Sequence, residues 1–507
     1  MKKTISVLLT MSMVVLLLVG CGSDSKSTEI TNESSNQSEQ SNESGQSIES
    51  DQSEQDSSPV TITTVIKDMS ADDEVSLRFL KEVSKGVSEQ LGREVNIVLA
   101  PISEGTYSES MSLLIQSGEI PDLMYFQGGD YQFAITQGIL DDLTPYIEGS
   151  TYVKAMMQPY NSERIANYPY LLWLSPDRIK VPVVRQDWFN ATTTGKTLLA
   201  DPSPENYKAF FQELKEKYSL TAAYTVPGDL TELDTVFNLA FGIDKTWVKE
   251  GDSYVYNKVS QAQKEKLAYY ADLYKEGLFD NEWLAKKWDT KESAFYNGEV
   301  AVVSGTQGSV INVYNNKMVS QNGEDAELVI LPPAKGLEQG YTPSDISKES
   351  RGWAINSYSE NKDVAFAILE YMASPEGQIL DKLGYEGEQY NKEGDDYVLT
   401  DKISEWWPRF HESIATFDIK LSAVTPYYSE PAIKALEMVK QYSLFDNAFV
   451  LPDEFTTNWD AGEALYAEFA ADVISGRKSI DDFDDYVNDW NSLGGTDITK
   501  YANEILK

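Results

Sequence analysis

Residues 113–147 read LLIQSGEIPDLMYFQGGDYQFAITQGILDDLTPYI, and three kinds of local structure follow one another within them. An apolar run at helical spacing stops at Gly118, in the way glycine commonly ends a helix. IPDLMYF follows at 120–126, apolar from Leu123 onward, and reads as a third strand. Beyond it, Gln127-Gly128-Gly129-Asp130-Tyr131 is a loop that combines two glycines with an amide, a carboxylate and a ring. Upstream, VTITTVIKD (60–68) reads as a strand and REVNIVLAPI (93–102) as a second. Between them, residues 72–91 carry Val75, Phe79, Leu80, Val83, Val87 and Leu91 at helical spacing. Strand and helix alternate in this way along the chain, the pattern of an α/β protein with mostly parallel sheets. Such sheets bind ligands outside the carboxyl ends of their strands, so the loop after 120–126 is a candidate ligand contact.

The charge balance narrows the partners. With 42 basic and 81 acidic residues the formal charge is -39, which excludes a nucleic-acid-binding surface and disfavours docking of the body onto anionic lipid. The single cysteine, Cys21, follows Lys2, Lys3, the apolar run Val7 to Val19 and Gly20. Residues 1–20 are therefore expected to be a secretion signal, because the run falls short of the roughly 20 residues a membrane helix needs. Leu18-Val19-Gly20-Cys21 resembles the lipobox of bacterial lipoproteins, which implies lipidation at Cys21 and attachment to the bilayer. Residues 21–59 are almost wholly Ser, Glu, Gln, Asn, Asp and Thr, and are expected to form a disordered tether. About 450 residues remain, more than one hydrophobic core usually supports, so two domains are expected. They contain no cysteine, so packing alone must hold them.

The opening stretch resembles the first lobe of ABC-importer extracellular solute-binding proteins of the carbohydrate, maltose-binding-protein-like type. Further resemblances follow in order: VPVVRQDWFN (181–190), PSPENYKAFFQELKE (202–216), FYNGEVAVVSGTQG (295–308), ELVILPPAKG (327–336) and SRGWAINSYSENKDVAFAILEYMASPEGQ (350–378). GYEGEQYN and the C-terminal DDFDDYVNDWNSLGGTDITKYANE are similar to the Gram-positive lipoprotein branch. The resemblance covers Val60 to Lys507. It implies a two-lobe periplasmic-binding-protein-like fold (type II), with the ligand cleft between lobes joined by crossing strands. The first lobe is expected to hold 60–183 plus 328–360, and the second 184–327 plus 361–507. It also implies an extracellular, lipid-anchored monomer that closes on a carbohydrate, an oligosaccharide above all, and delivers it to the permease subunits.

A sugar offers apolar C–H faces and polar rims, so its site needs aromatic rings beside amide or charged groups. Gln127, Asp130 and Tyr131 are expected to meet it, as are Arg185, Asp187 and Trp188 at the crossover, where the alternative is an internal ion pair fixing the hinge. Arg351 and Trp353 flank Gly352, which admits a close ligand or backbone. Thr306 and Gln307 offer hydrogen bonds where many relatives carry a ring, and Trp173 is a substitute ring or a core residue. No catalytic residue is expected, since the one histidine, His411, has no serine motif around it and no HExxH or phosphate loop occurs. Two carboxylates of a glycoside hydrolase remain an alternative, as does a peptide or other acidic solute clamped by Arg185 and Arg351. Asp481, Asp482, Asp484 and Asp485 suit a first helical turn better than a calcium loop, and neither metal nor cofactor is expected.

Overall fold

The strand read at 60–68 forms as β1 (Val60–Val65) and pairs in parallel with β2 (Val95–Leu99) and β3 (Leu123–Gln127). This computed structural model describes residues 58–102, 106–127, 131–175, 177–343, 351–410, 414, 428–449 and 451–506. Next come β4 (Lys180–Arg185), β5 (Ala222–Tyr224) and the hairpin β6 (Trp247–Glu250) and β7 (Ser253–Tyr256). They are followed by β8 (Val300–Thr306), β9 (Leu328–Ile330), β10 (Arg351–Ile355) and the hairpin β11 (Tyr390–Glu393) and β12 (Asp396–Leu399). Two four-stranded sheets result, in the orders β10-β3-β1-β2 and β5-β8-β4-β9. Each is parallel except where β10 and β4 run antiparallel to their neighbours.

Local chemistry sets the ends of the elements. Helix Glu74–Leu91 begins where the Asp73 carboxylate accepts the Val75 and Ser76 amides at 3.3 and 2.9 Å, satisfying donors the helix leaves free. It stops at Gly92, whose φ of 68° suits a residue without a side chain. Its inward face is Phe79, Leu80, Val83 and Val87, whereas Val75 points to solvent. Asp122 explains the Pro-Asp of the opening stretch. Its carboxylate accepts the Thr63 amide at 2.8 Å, the Thr63 hydroxyl at 2.7 Å and the Ser359 hydroxyl at 2.6 Å, fastening three segments together.

Each sheet has its own core. Ile62, Phe79, Leu123, Tyr125, Trp353 and Phe410 pack about the first, and Val184, Phe210, Phe211, Tyr224, Val302 and Phe469 about the second. These cores divide the chain differently from the expected lobes at two places. Residues 328–330 were expected with the first lobe, but β9 pairs with β4 through Val183↔Ile330 and Arg185↔Leu328, because β4 needs a partner on each side. Residues from 361 onward were expected with the second, but helix Lys362–Ala373, Phe410 and Ile414 fill the first core against helix Glu74–Leu91.

Candidate functional site

The carboxyl edge of the first sheet is set by the register of its antiparallel pair, in which Gln127, the last residue of β3, faces Arg351, the first of β10. Gln127 Oε1 is buried with no hydrogen-bond partner among the described residues, an acceptor of the kind that calls for one. Tyr131 opens helix Tyr131–Thr136 just beyond. Asp130 lies outside the described residues, as do His411 and Cys21.

The corresponding edge of the second sheet holds Thr306 at the end of β8 opposite Lys180 at the start of β4. Gln307 follows, donating its side-chain amide to the Asp177 carbonyl, and its Oε1 too is buried with no partner among the described residues. Beneath lies a buried ion pair in which Lys291 Nζ contacts the two Glu232 oxygens at 2.8 and 3.0 Å and the Ser304 carbonyl at 2.9 Å. Lys180 reaches the same carboxylate at 3.4 Å. Burial pulls Lys291 below the ordinary lysine value, and Glu232 opposes that pull. Over this group sits Trp288, whose ring lies 3.9 Å from Lys291 Nζ and 5.9 Å from Lys180 Nζ. It keeps 39% exposure in a position bordered by donors. Trp288, Lys180, Glu232 and Lys291 were not singled out from sequence. The signal was available in KKWDTK (286–291), a tryptophan among cations just upstream of FYNG.

Beside this edge, a cavity of about 420 Å³ is lined by Arg178, Lys180, Asp234, Lys258, Lys266 and Glu463 together with neutral polar side chains and two tyrosines. Lys266 is almost fully buried and contacts Asp234 at 2.6 Å. Lys258 contacts Glu463 at 2.8 Å, and Glu463 also accepts the Tyr256 hydroxyl.

The remaining sequence candidates are placed elsewhere. Trp353 is fully buried, stacked on Phe410 with centroids 4.4 Å apart and tilted against Tyr125 at 5.3 Å. It is a core residue, because it sits two positions inward from the edge pair. Gly352 does admit a close approach, but by backbone: a Cβ there would come within 2.9 Å of the Leu172 carbonyl, and Leu172 and Trp353 exchange hydrogen bonds at 2.8 and 3.0 Å. Trp173 is buried as well, with Arg164 over its ring at 5.7 Å. Arg185 holds Asp187 at 2.6 Å and Asn322 at 3.0 Å, and Trp188 stacks on Tyr218 at 4.2 Å. These three occupy the far end of β4 from Lys180, which is the internal ion-pair arrangement rather than a ligand-facing one. Asp481 and Asp482 lie in the turn Ile480–Asp482, and Asp484 and Asp485 in the first turn of helix Phe483–Trp490.

The profile of the family described as bacterial extracellular solute-binding protein matches residues 81–379. The chain belongs to this family. Lipoprotein LipO of Bacillus subtilis (strain 168) is 20% identical over 456 residues, covering 83% of this chain and 88% of that one. An HMO-binding ABC-transporter-associated solute-binding protein from Bifidobacterium longum infantis superposes with a TM-score of 0.62 at 13% identity, over 89% of this chain and 98% of that one. Alginate-binding protein AlgQ2, solved without calcium ion, gives 0.61 at 16%, over 88% and 97%. The chain thus has the type II, two-lobe fold of the solute-binding proteins, with a sheet at the centre of each lobe.

Proposed function

We propose that this solute-binding protein is the membrane-anchored receptor of an ABC importer, capturing an oligosaccharide by closure of its two lobes and delivering it to the permease. The observation that carries the reading is Trp288, an exposed indole at the carboxyl edge of the second sheet with Lys180, Thr306 and Gln307 beside it. A ring of that kind takes the apolar face of a sugar, while its neighbours take the hydroxyls. Relatives named for binding HMO and alginate support the ligand class, and a relative named a lipoprotein supports the anchor at Cys21. A ligand drives closure only through the extra contacts it makes in the closed state, which suits a site split between the edges of two sheets.

Titration calorimetry against glycan and peptide panels, with chromatography of the recovered ligand, tests the proposal. One oligosaccharide bound per chain and recovered intact is the expected result. Tight peptide binding with no glycan response would overturn it, and so would cleavage product in excess of protein. The anchor has its own test, in that Cys21→Ser is expected to release folded, ligand-competent protein into the medium.

A further inference from the structure

We infer that Lys291 is a positioning residue for the sugar-facing ring: its buried ammonium holds the Trp288 indole in place, and Glu232 fixes that ammonium relative to the rim cation Lys180. The inference rests on the reading of Trp288 as a ring that meets an oligosaccharide, and adds how the ring is kept in its pose. Trp288 is the first residue of helix Trp288–Tyr296, where a side chain has no preceding turn of its own helix to lie on. Something outside that helix must therefore hold it.

Lys291 stands three residues further on, so the two side chains share a helix face. Its Nζ donates to both Glu232 oxygens at 2.8 and 3.0 Å and to the Ser304 carbonyl at 2.9 Å, an acceptor for each of its protons. Those acceptors belong to helix Thr231–Phe237 and to β8, so the ammonium is fixed by two elements other than its own. The indole lies over it at 3.9 Å, well inside the distance at which a cation attracts the face of a ring. The same ring meets Tyr314, with centroids 6.1 Å apart.

Stability alone does not account for a lysine at this position. It is fully buried and lies in the first turn of a helix, where the dipole disfavours a cation, and a buried ion pair is often no more stabilising than apolar side chains of like volume. What the pair adds is a fixed geometry. Glu232 holds Lys291 and also, at 3.4 Å, Lys180, whose Nζ is 5.9 Å from the same indole. One carboxylate thus sets the ring and the rim ammonium relative to each other, and a site arranged before its ligand arrives loses less binding free energy to the ordering of side chains.

The test is a nitrogen–proton correlation spectrum of the whole chain with its ten tryptophan indoles isotope-labelled, the Trp288 signal being identified by its loss in Trp288→Phe. Lys291→Met removes the charge and leaves Glu232 a counter-charge in Lys180. It is expected to move the Trp288 signal toward the position of the unfolded chain while the remaining indole signals stay. Glu232→Gln combined with Lys291→Met removes both charges and is the second route to the same shift if the single variant does not fold, with a thermal melt reporting folding for each. A Trp288 signal unmoved in a folded variant would overturn the positioning role, and so would equal movement of all the indoles, the mark of a general loosening. Unfolding of both variants would overturn it too, because the pair would then serve stability. The oligosaccharide reading fails separately, if Trp288→Ala leaves affinity for every member of the glycan panel unchanged.

Discussion

The carboxyl edges of the two sheets are built alike in backbone and oppositely in side chains. In the first, an antiparallel pair brings Gln127 and Arg351 to the rim, and the large rings, Tyr125 and Trp353, are drawn two residues inward to pack on Phe410. In the second, the pair Lys180–Thr306 forms the rim, the interior beneath it is ionic, and the ring, Trp288, lies on the outside. Position relative to the strands thus decides whether a tryptophan is buried or exposed. A ring in the middle of a paired strand belongs to the core, and one on a helix over the strand ends meets solvent.

The contrast can be broken at three points. Trp353→Ala removes a fully buried indole and is expected to cost about 3–5 kcal/mol, seen as a shifted denaturation midpoint. Unchanged stability with lost binding would return Trp353 to the site. Glu232→Gln leaves Lys291 buried without its counter-charge and is expected to cost a similar ~3–5 kcal/mol, read in the same unfolding experiment. Trp288→Ala should leave the melt nearly unmoved and weaken saccharide affinity about tenfold, roughly 1.4 kcal/mol, as measured by calorimetry. If stability falls and affinity holds, the second edge resembles the first.

The smallest effect concerns pH. Partial burial pushes the Glu213 carboxyl up, but hydrogen bonds from the hydroxyls and amides of Thr193 and Thr194 outweigh it and hold the group at about 2, against 4.5 when unfolded. Its stabilisation is therefore complete above pH 4.5 and fades as the pH falls toward 2. Glu213→Gln should melt below wild type at neutral pH, and the gap should close across that window.

Much of the fold was legible because it depends on local patterns. Apolar runs ended by Gly118 and the spacing of Phe79, Leu80, Val83 and Val87 predict strand, helix and inward face correctly. The division of residues 328–330 and 361–414 was not legible, because strand pairing and helix docking are long-range choices that no local run encodes. Of the sequence candidates, Gln127, Thr306 and Gln307 lie at the rims of the sheets, because they end strands or follow directly on one. Trp353, Trp173 and Arg185 offered the right chemistry, but register and ion pairing with Asp187 direct them elsewhere. Trp288 was missed because its value comes from Lys180, more than a hundred residues earlier in the chain.

The central claim, that one oligosaccharide is held by both carboxyl edges, is tested most directly by hydrogen–deuterium exchange with and without saccharide. Slowed exchange is expected in 123–136 and in 300–308 together, with 231–238 following because it walls the cavity. Protection confined to one sheet, or centred on 185–188 at the far end of β4, would contradict the account.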